Sequence, residues 1–301
     1  MKSEKNSRPL VGVFWMLATG ACFIAVTALV KYVGDGVPPA EAAFLRYFIG
    51  LVFLLPALPA MRAARLTPRQ WRLFGTRGVF HGLGVILWFY AMVRIPIADV
   101  TAMNYLAPVY VTIGAALFLG ERLAFRRIAA VIAALIGTAI ILRPGFREIN
   151  AGHLAMLGAA LVFSGSYLTA KVLADEAKPA VVVAMLSIFV TLTLAPFALV
   201  HWVTPTLTQL MLLAAVASVA TLGHYTMTLA FAAAPMTVTQ PVTFTQLVWA
   251  ILLGYLVFDE AIDMWVILGG VVILASVTFI TWREAVLNRA PTTPPSPAMK
   301  I

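Results

Sequence analysis

Gly12–Lys31, GVFWMLATGACFIAVTALVK, and Gly152–Lys171, GHLAMLGAALVFSGSYLTAK, begin and end on the same residues 140 positions apart. The correspondence continues beyond them. Pro39 and Pro56 precede Pro179 and Pro196 by the same 140, and Gly84, Pro96 and Glu121 precede Gly223, Pro235 and Glu260 by 139. One residue of drift over that distance predicts a duplicated unit of about 140 residues, far longer than solenoid repeats of roughly 20–50. In a membrane chain, two such halves are how many secondary transporters are built.

Each quoted stretch is apolar and long enough to cross a bilayer, which takes about 17–25 helical residues. Ten such runs are present, at 10–30, 40–60, 72–93, 97–119 and 125–142, then 152–172, 180–201, 207–231, 236–258 and 263–282. Composition agrees, since the 301 residues are 62% hydrophobic and 11% charged, where soluble domains carry roughly 25% charge. The expected fold is an all-α integral membrane protein of ten transmembrane helices. Residues 1–147 form the first five-helix repeat and 148–289 the second. The tail 290–301, with Pro291, Pro294, Pro295 and Pro297, reads as disordered.

Five spans per repeat is an odd number, so the second repeat enters the bilayer from the opposite side. Charge tests this. The side holding the N-terminus receives Lys2, Lys5, Arg8, Arg62, Arg65, Arg69, Arg72, Arg122, Arg126, Arg127, Lys171, Lys178, Arg283, Arg289 and Lys300. The other side receives Lys31, Arg94, Arg143 and Arg147. Fifteen against four predicts both termini in the cytoplasm of a bacterial-type inner membrane. The net charge of +9 is then a matter of topology. Nucleic-acid binding needs clustered basic side chains on a folded surface, which the sequence lacks.

Other chemistries are excluded by what the chain does not carry. Cys22 is the only cysteine, so no intramolecular disulfide or cysteine metal site forms. The first apolar run is too long for a signal h-region and reads as an uncleaved helix. There is no phosphate-binding G-x-x-x-x-G-K-[ST] loop. All twelve carboxylates fall at or near helix ends, Glu41 and Asp99 lying about one turn inside theirs. A proton relay through a mid-bilayer acid is therefore not expected.

The polar groups inside the spans are neutral or weakly basic, and many are aromatic. His81, Gly84 and Trp88 share one face of the third span, with His81 close to the midplane. The fourth span brings Asn104, Tyr105 and Pro108, and the sixth brings Ser164, Gly165, Ser166 and Tyr167. The eighth brings His224 and Tyr225, and the ninth Pro241, Thr243 and Gln246. Such groups need partners or water in hydrocarbon, and one central cavity between the halves would satisfy them together. The alternative for each is a bond to a neighbouring helix or to its own i−4 carbonyl. A mid-bilayer imidazole is costly and titrates near neutral pH, which singles out His81. His224 is either interfacial or part of the cavity. Arg46 either snorkels or meets a substrate carboxylate, and Arg77 snorkels on the cytoplasmic side. Pro108 and Pro241 free carbonyls within their spans, while Pro56 and Pro196 predict a kink shared by both repeats. Gly75, Gly78 and Gly82 form a stripe for close helix contact.

The stretch from Ala102 to Leu142, with Pro108, Phe118-Leu119-Gly120-Glu121-Arg122 and Gly137, resembles the end of an EamA-type repeat of the drug/metabolite transporter superfamily. Val257-Phe258-Asp259-Glu260 with Gly269-Gly270 is the weaker second copy. The resemblance implies ten helices, cytoplasmic termini and an inverted five-plus-five repeat, with spans one to four and six to nine around the cavity. It further implies that Glu121 and Glu260 are structural.

The expected function is secondary transport by alternating access, not enzymatic catalysis. At the level of whole repeats the chain resembles exporters of aromatic and other neutral amino acids, and also importers of S-adenosylmethionine. Amino-acid export is the first expectation, metabolite import the second, and a lipid flippase or channel a third. The expected substrate-binding residues are His81, Trp88, Asn104, Tyr105, Ser164, Tyr167, His224, Tyr225 and Gln246. The partners are a small-molecule substrate and the lipid bilayer. No cofactor, metal or obligate protein partner is expected.

Overall fold

Prolines and capping residues set where the helices begin. Pro9, Pro39, Pro68 and Pro179 each occupy a first turn, where the missing N–H costs nothing. In a computed structural model, which describes residues 8–118, 125–234, 238–239 and 242–287, the described residues are almost wholly helical. The helices are α1 (Pro9–Val33), α2 (Pro39–Gly50), α3 (Leu58–Ala63), α4 (Pro68–Met92), α5 (Ile97–Asn104) and α6 (Leu106–Phe118). They continue with α7 (Phe125–Leu142), α8 (Ala151–Glu176), α9 (Pro179–Val200), α10 (Leu207–Ala233), α11 (Phe244–Phe258) and α12 (Met264–Leu287). The caps of α4 and α10 are the same device 139 residues apart. Thr67 accepts from Gln70 N while Gln70 accepts from Thr67 N, and Thr206 and Gln209 repeat the exchange.

Among the described residues, seven helices are long and apolar enough to cross a membrane: α1, the run Pro39–Ala63, α7, α8, α9, α10 and α12. The other three expected spans depart for identifiable reasons. α4 is 25 residues long but carries Arg69, Arg72 and Arg77. The fourth span is two helices, because proline at 108 cannot bond the carbonyl of Asn104 and crowds it, and the helix breaks at Tyr105. α11 covers 15 residues of the ninth. Pro235 and Pro241, together with Glu121 and the tail 290–301, lie outside the described residues.

The two remaining prolines do not act alike. Around Pro56 the backbone tightens into a 3-10 stretch, Leu51–Ala57, that joins α2 to α3. Pro196 sits within the unbroken α9. The kink expected in both repeats thus takes different forms.

Packing pairs the halves off. α1 lies along α10, and its counterpart α8 lies along α4; α2 crosses α9, α5 crosses α11, and α7 crosses α12. Glycines permit the closest crossings. A Cβ on Gly137 would meet the Gly269 carbonyl at 2.8 Å, so α7 and α12 touch backbone to backbone. On α4, Gly78 faces Phe189 and Gly82 faces Thr193 of α9, as the glycine stripe led us to expect. One core, including Val26, Phe89, Met103, Met156, Leu213 and Ile273, runs through both halves.

The end of the bundle holding Lys31 is tied by charge. Lys31 pairs with Glu260, and Arg143 with Asp263. Asp99, 1% exposed, is met by Arg147 at 2.7 Å and His153 at 3.0 Å. Glu41, also buried, accepts from Val203 N at 2.9 Å. The carboxylates nearest the membrane interior therefore serve as ties between elements. At the opposite end Arg69 pairs with Glu176.

Candidate functional site

α4 presents Arg77, His81, Gly84 and Trp88 at spacings of four, three and four, which is one helical face. Phe163 of α8 fills the space that Gly84 leaves open; a Cβ there would lie 2.7 Å from its ring. That contact sets Phe163 against His81, with ring centres 5.0 Å apart, and Tyr167 stacks beyond it at 6.3 Å. Gly84 is thus a seat for an aromatic wall rather than a surface offered to solute.

His81 bridges three helices from both halves. Nε2 shares a hydrogen bond with the Tyr47 hydroxyl of α2 at 2.9 Å, and Nδ1 shares one with Ser166 Oγ of α8 at 3.2 Å. In a neutral imidazole one nitrogen donates and the other accepts, so the two hydroxyls take opposite roles. Beside Tyr47 on α2 lies Arg46, 6% exposed, its guanidinium carbon 4.4 Å from the Tyr47 ring centre. Among the described residues Arg46 makes no hydrogen bond or ion pair. Arg77 donates to Val182 O at 3.3 Å, and its Nε is buried without a partner.

α10 closes the group with His224, set edge-on to Phe23 of α1 at 5.2 Å. The positive charges of Arg46 and Arg77 act on both His81 and His224, so the four groups occupy one region. Tyr167 is 44% exposed, and His224 is exposed as well. The rings gathered by His81 are aromatic (Tyr47, Phe163 and, beyond it, Tyr167), and Arg46 and Arg77 are the basic groups beside it. An open hollow of about 210 Å³ at the Lys31 end is lined by Asp99, Arg147, Glu260 and Asp263. Those charges pair largely with one another or with Lys31 and Arg143.

The residues expected to bind substrate separate into two groups. His81, Tyr167 and His224 come together. Trp88 packs on the core, with Nε1 buried and unpartnered, one helical face along from His81. Ser164 does not join: its hydroxyl donates to Leu161 O at 2.6 Å, and Ser166 takes the place by His81. Tyr105 donates to Thr243 O at 2.9 Å, tying the α5–α6 break to α11. Gln246 leans on Gly20 of α1, where a Cβ would lie 3.0 Å from its Cγ. Asn104 ends α5. Tyr225, 62% exposed, shares a stripe of α10 with the exposed Met211, Ser218 and Leu222, away from the α1 contact. The sequence reading does not single out Tyr47 and takes Ser166 only as one polar group of the sixth span, because only tertiary pairing brings them to His81.

The sequence profile described as the EamA-like transporter family matches residues 10–143 and 150–282. A riboflavin transporter of Rhizobium johnstonii is 32% identical, the match covering 95% of each chain. A riboflavin transporter of Vibrio cholerae is 31% identical over 93% of this chain and 96% of its own. An S-adenosylmethionine uptake transporter of Rickettsia bellii is 27% identical over 91% and 94%. A solved crystal structure superposes with a TM-score of 0.60 at 20% identity, covering 90% of this chain and 97% of its own, a likeness of fold.

Proposed function

The chain belongs to the EamA-like transporter family, a membrane transporter of small molecules with several spans in the inner membrane, and from this we propose that it carries a flat aromatic metabolite through the hollow around His81. The observation that carries the reading is His81 held by Tyr47 and Ser166 beside the Phe163–Tyr167 stack. A ring system lying on that wall finds an apolar face together with imidazole and hydroxyl groups at its edge.

Ten spans in an inverted five-plus-five arrangement, with cytoplasmic termini, accommodate this path. The paired helix contacts, the 140-residue spacing and the bias of Lys and Arg support it. Alternating access then requires the ion pairs at the Lys31 end to part whenever the hollow opens to that side.

A flavin-type heterocycle is the first reading of the substrate. Two relatives above 30% identity are named riboflavin transporters, and the isoalloxazine ring is flat with carbonyl acceptors at one edge. Export of aromatic or neutral amino acids is the second reading, favoured by Arg46, whose unpartnered guanidinium suits a carboxylate. Two guanidiniums without an acid weigh against S-adenosylmethionine, a cation. The basic groups beside His81, Arg46 and Arg77, weigh against a path for lipid tails. Counterflow in proteoliposomes with labelled riboflavin, tryptophan and S-adenosylmethionine tests these readings. Saturable exchange of riboflavin supports the first and of tryptophan the second; exchange of S-adenosylmethionine alone overturns both.

A further inference from the structure

We infer that the hollow around His81 favours negative charge, binding aromatic solutes that carry a carboxylate or phosphate more tightly than their neutral and cationic analogues. This rests on the reading of that hollow as the solute site and adds to it the charge of the solute.

Arg46 carries the inference. A guanidinium deep in a membrane protein is costly, and such groups are found paired with acids or facing an aqueous or ligand-filled space. Arg46 is 94% buried by its exposure of 6%, and among the described residues no acid pairs with it. Its one recorded partner is the face of Tyr47. A ring face attracts a cation weakly and cannot neutralise it. Glu41, five residues earlier on the same helix, accepts from the backbone N–H of Val203 with one oxygen, its other oxygen buried without a partner, and makes no ion pair with Arg46. Asp99, the other deep acid, is shared by Arg147 and His153.

Arg77 is the second, independent observation. Its Nε is buried without a partner, and its charge acts on the same two imidazoles as that of Arg46. Two guanidiniums acting on the same two imidazoles create a positive potential between them, and low dielectric strengthens it. An anion brought by the solute supplies the missing partner, and bidentate pairing with a guanidinium is the geometry both carboxylate and phosphate favour. The aromatic wall holds the ring of the same molecule.

The test uses matched pairs of probes that differ in charge while keeping the ring: flavin mononucleotide with riboflavin, and indole-3-acetate with indole-3-acetamide. Binding to the purified full chain is read by thermal shift and by competition. The expected result is that the acid of at least one pair binds about tenfold more tightly than its neutral partner, and that raised salt narrows the gap. Preference in the flavin pair alone identifies phosphate, and in the indole pair alone carboxylate. Arg46→Gln is expected to erase the preference and Arg46→Lys to keep part of it, with circular dichroism and size-exclusion profiles confirming folded protein. If Arg46→Gln does not fold, Arg77→Gln is read in the same way. No acid preference in either pair, or a preference unchanged in both glutamine variants, overturns the inference. Riboflavin carried without charge preference overturns it and leaves the transport reading standing.

Discussion

Replacing Glu260 by Gln is expected to loosen the end of the bundle opposite the termini by an amount that can be worked out from its contacts. One carboxylate oxygen pairs with Lys31, and the other accepts from Ile97 N at 2.9 Å at the start of α5. Lys31 is held in addition by the Ile95 carbonyl at 3.1 Å. Their side chains are 18% and 11% exposed. Breaking a fully buried pair costs about 3–5 kcal/mol. Partial exposure and the hydrogen bond that an amide oxygen retains reduce this to about 2 kcal/mol. At roughly 2–4 °C per kcal/mol, the unfolding midpoint in detergent falls by about 4–8 °C. Lys31→Met is expected to destabilise similarly by stranding the carboxylate. The double variant should lose less than the sum of the two, with a coupling of about 1 kcal/mol or more. Additivity of the two losses to within about 0.5 kcal/mol would show that the pair contributes nothing, and would refute this reasoning.

Three further outcomes follow from the same geometry. Ser166→Ala and Tyr47→Phe each remove a hydrogen bond to His81 and are expected to weaken solute binding about five- to tenfold, in line with about 1 kcal/mol per bond; Ser164→Ala, whose hydroxyl bonds its own helix, should change solute binding little, as isothermal titration would show. Gly84→Ala drives a methyl into the Phe163 ring and is expected to cost about 1–3 kcal/mol, read as a lower unfolding midpoint together with lost binding. Tags on the two termini should both be protected from protease added outside intact cells, and a tag cleaved at one end would contradict the five-plus-five threading.

Periodicity and run length carried most of the architecture because the bilayer imposes both on the sequence. The spacing from Pro39 to Pro179 and from Gly84 to Gly223 foretold partners that pack in matching ways. The Thr67–Gln70 and Thr206–Gln209 caps, 139 residues apart, were legible as well and would have fixed the starts of α4 and α10. The break at Tyr105 was readable from Pro108, given that a proline acts on the carbonyl four residues earlier. The site was legible only in part. His81 stands out by chemical type alone. Ser166 and Ser164 differ by two positions, about 200° around a helix, and only the placement of α8 against α4 decides which one meets the imidazole. Tyr47 reaches His81 across 34 residues of sequence, and Arg46 beside it is 6% exposed. Tyr225, next to His224, lies about 100° away and shares the exposed stripe instead.

The most direct test of a solute path through the centre is to place a thiol in the hollow and ask whether solute shields it. Cys22→Ser removes the only cysteine, and Tyr167→Cys then puts a single reporter on the aromatic wall. In proteoliposomes, maleimide should react with it, the adduct should abolish counterflow, and saturating solute should slow the reaction about tenfold, with a half-effect at the concentration that half-saturates counterflow. Counterflow that continues after complete alkylation, or alkylation unaffected by a solute that the same vesicles exchange, would place the path elsewhere.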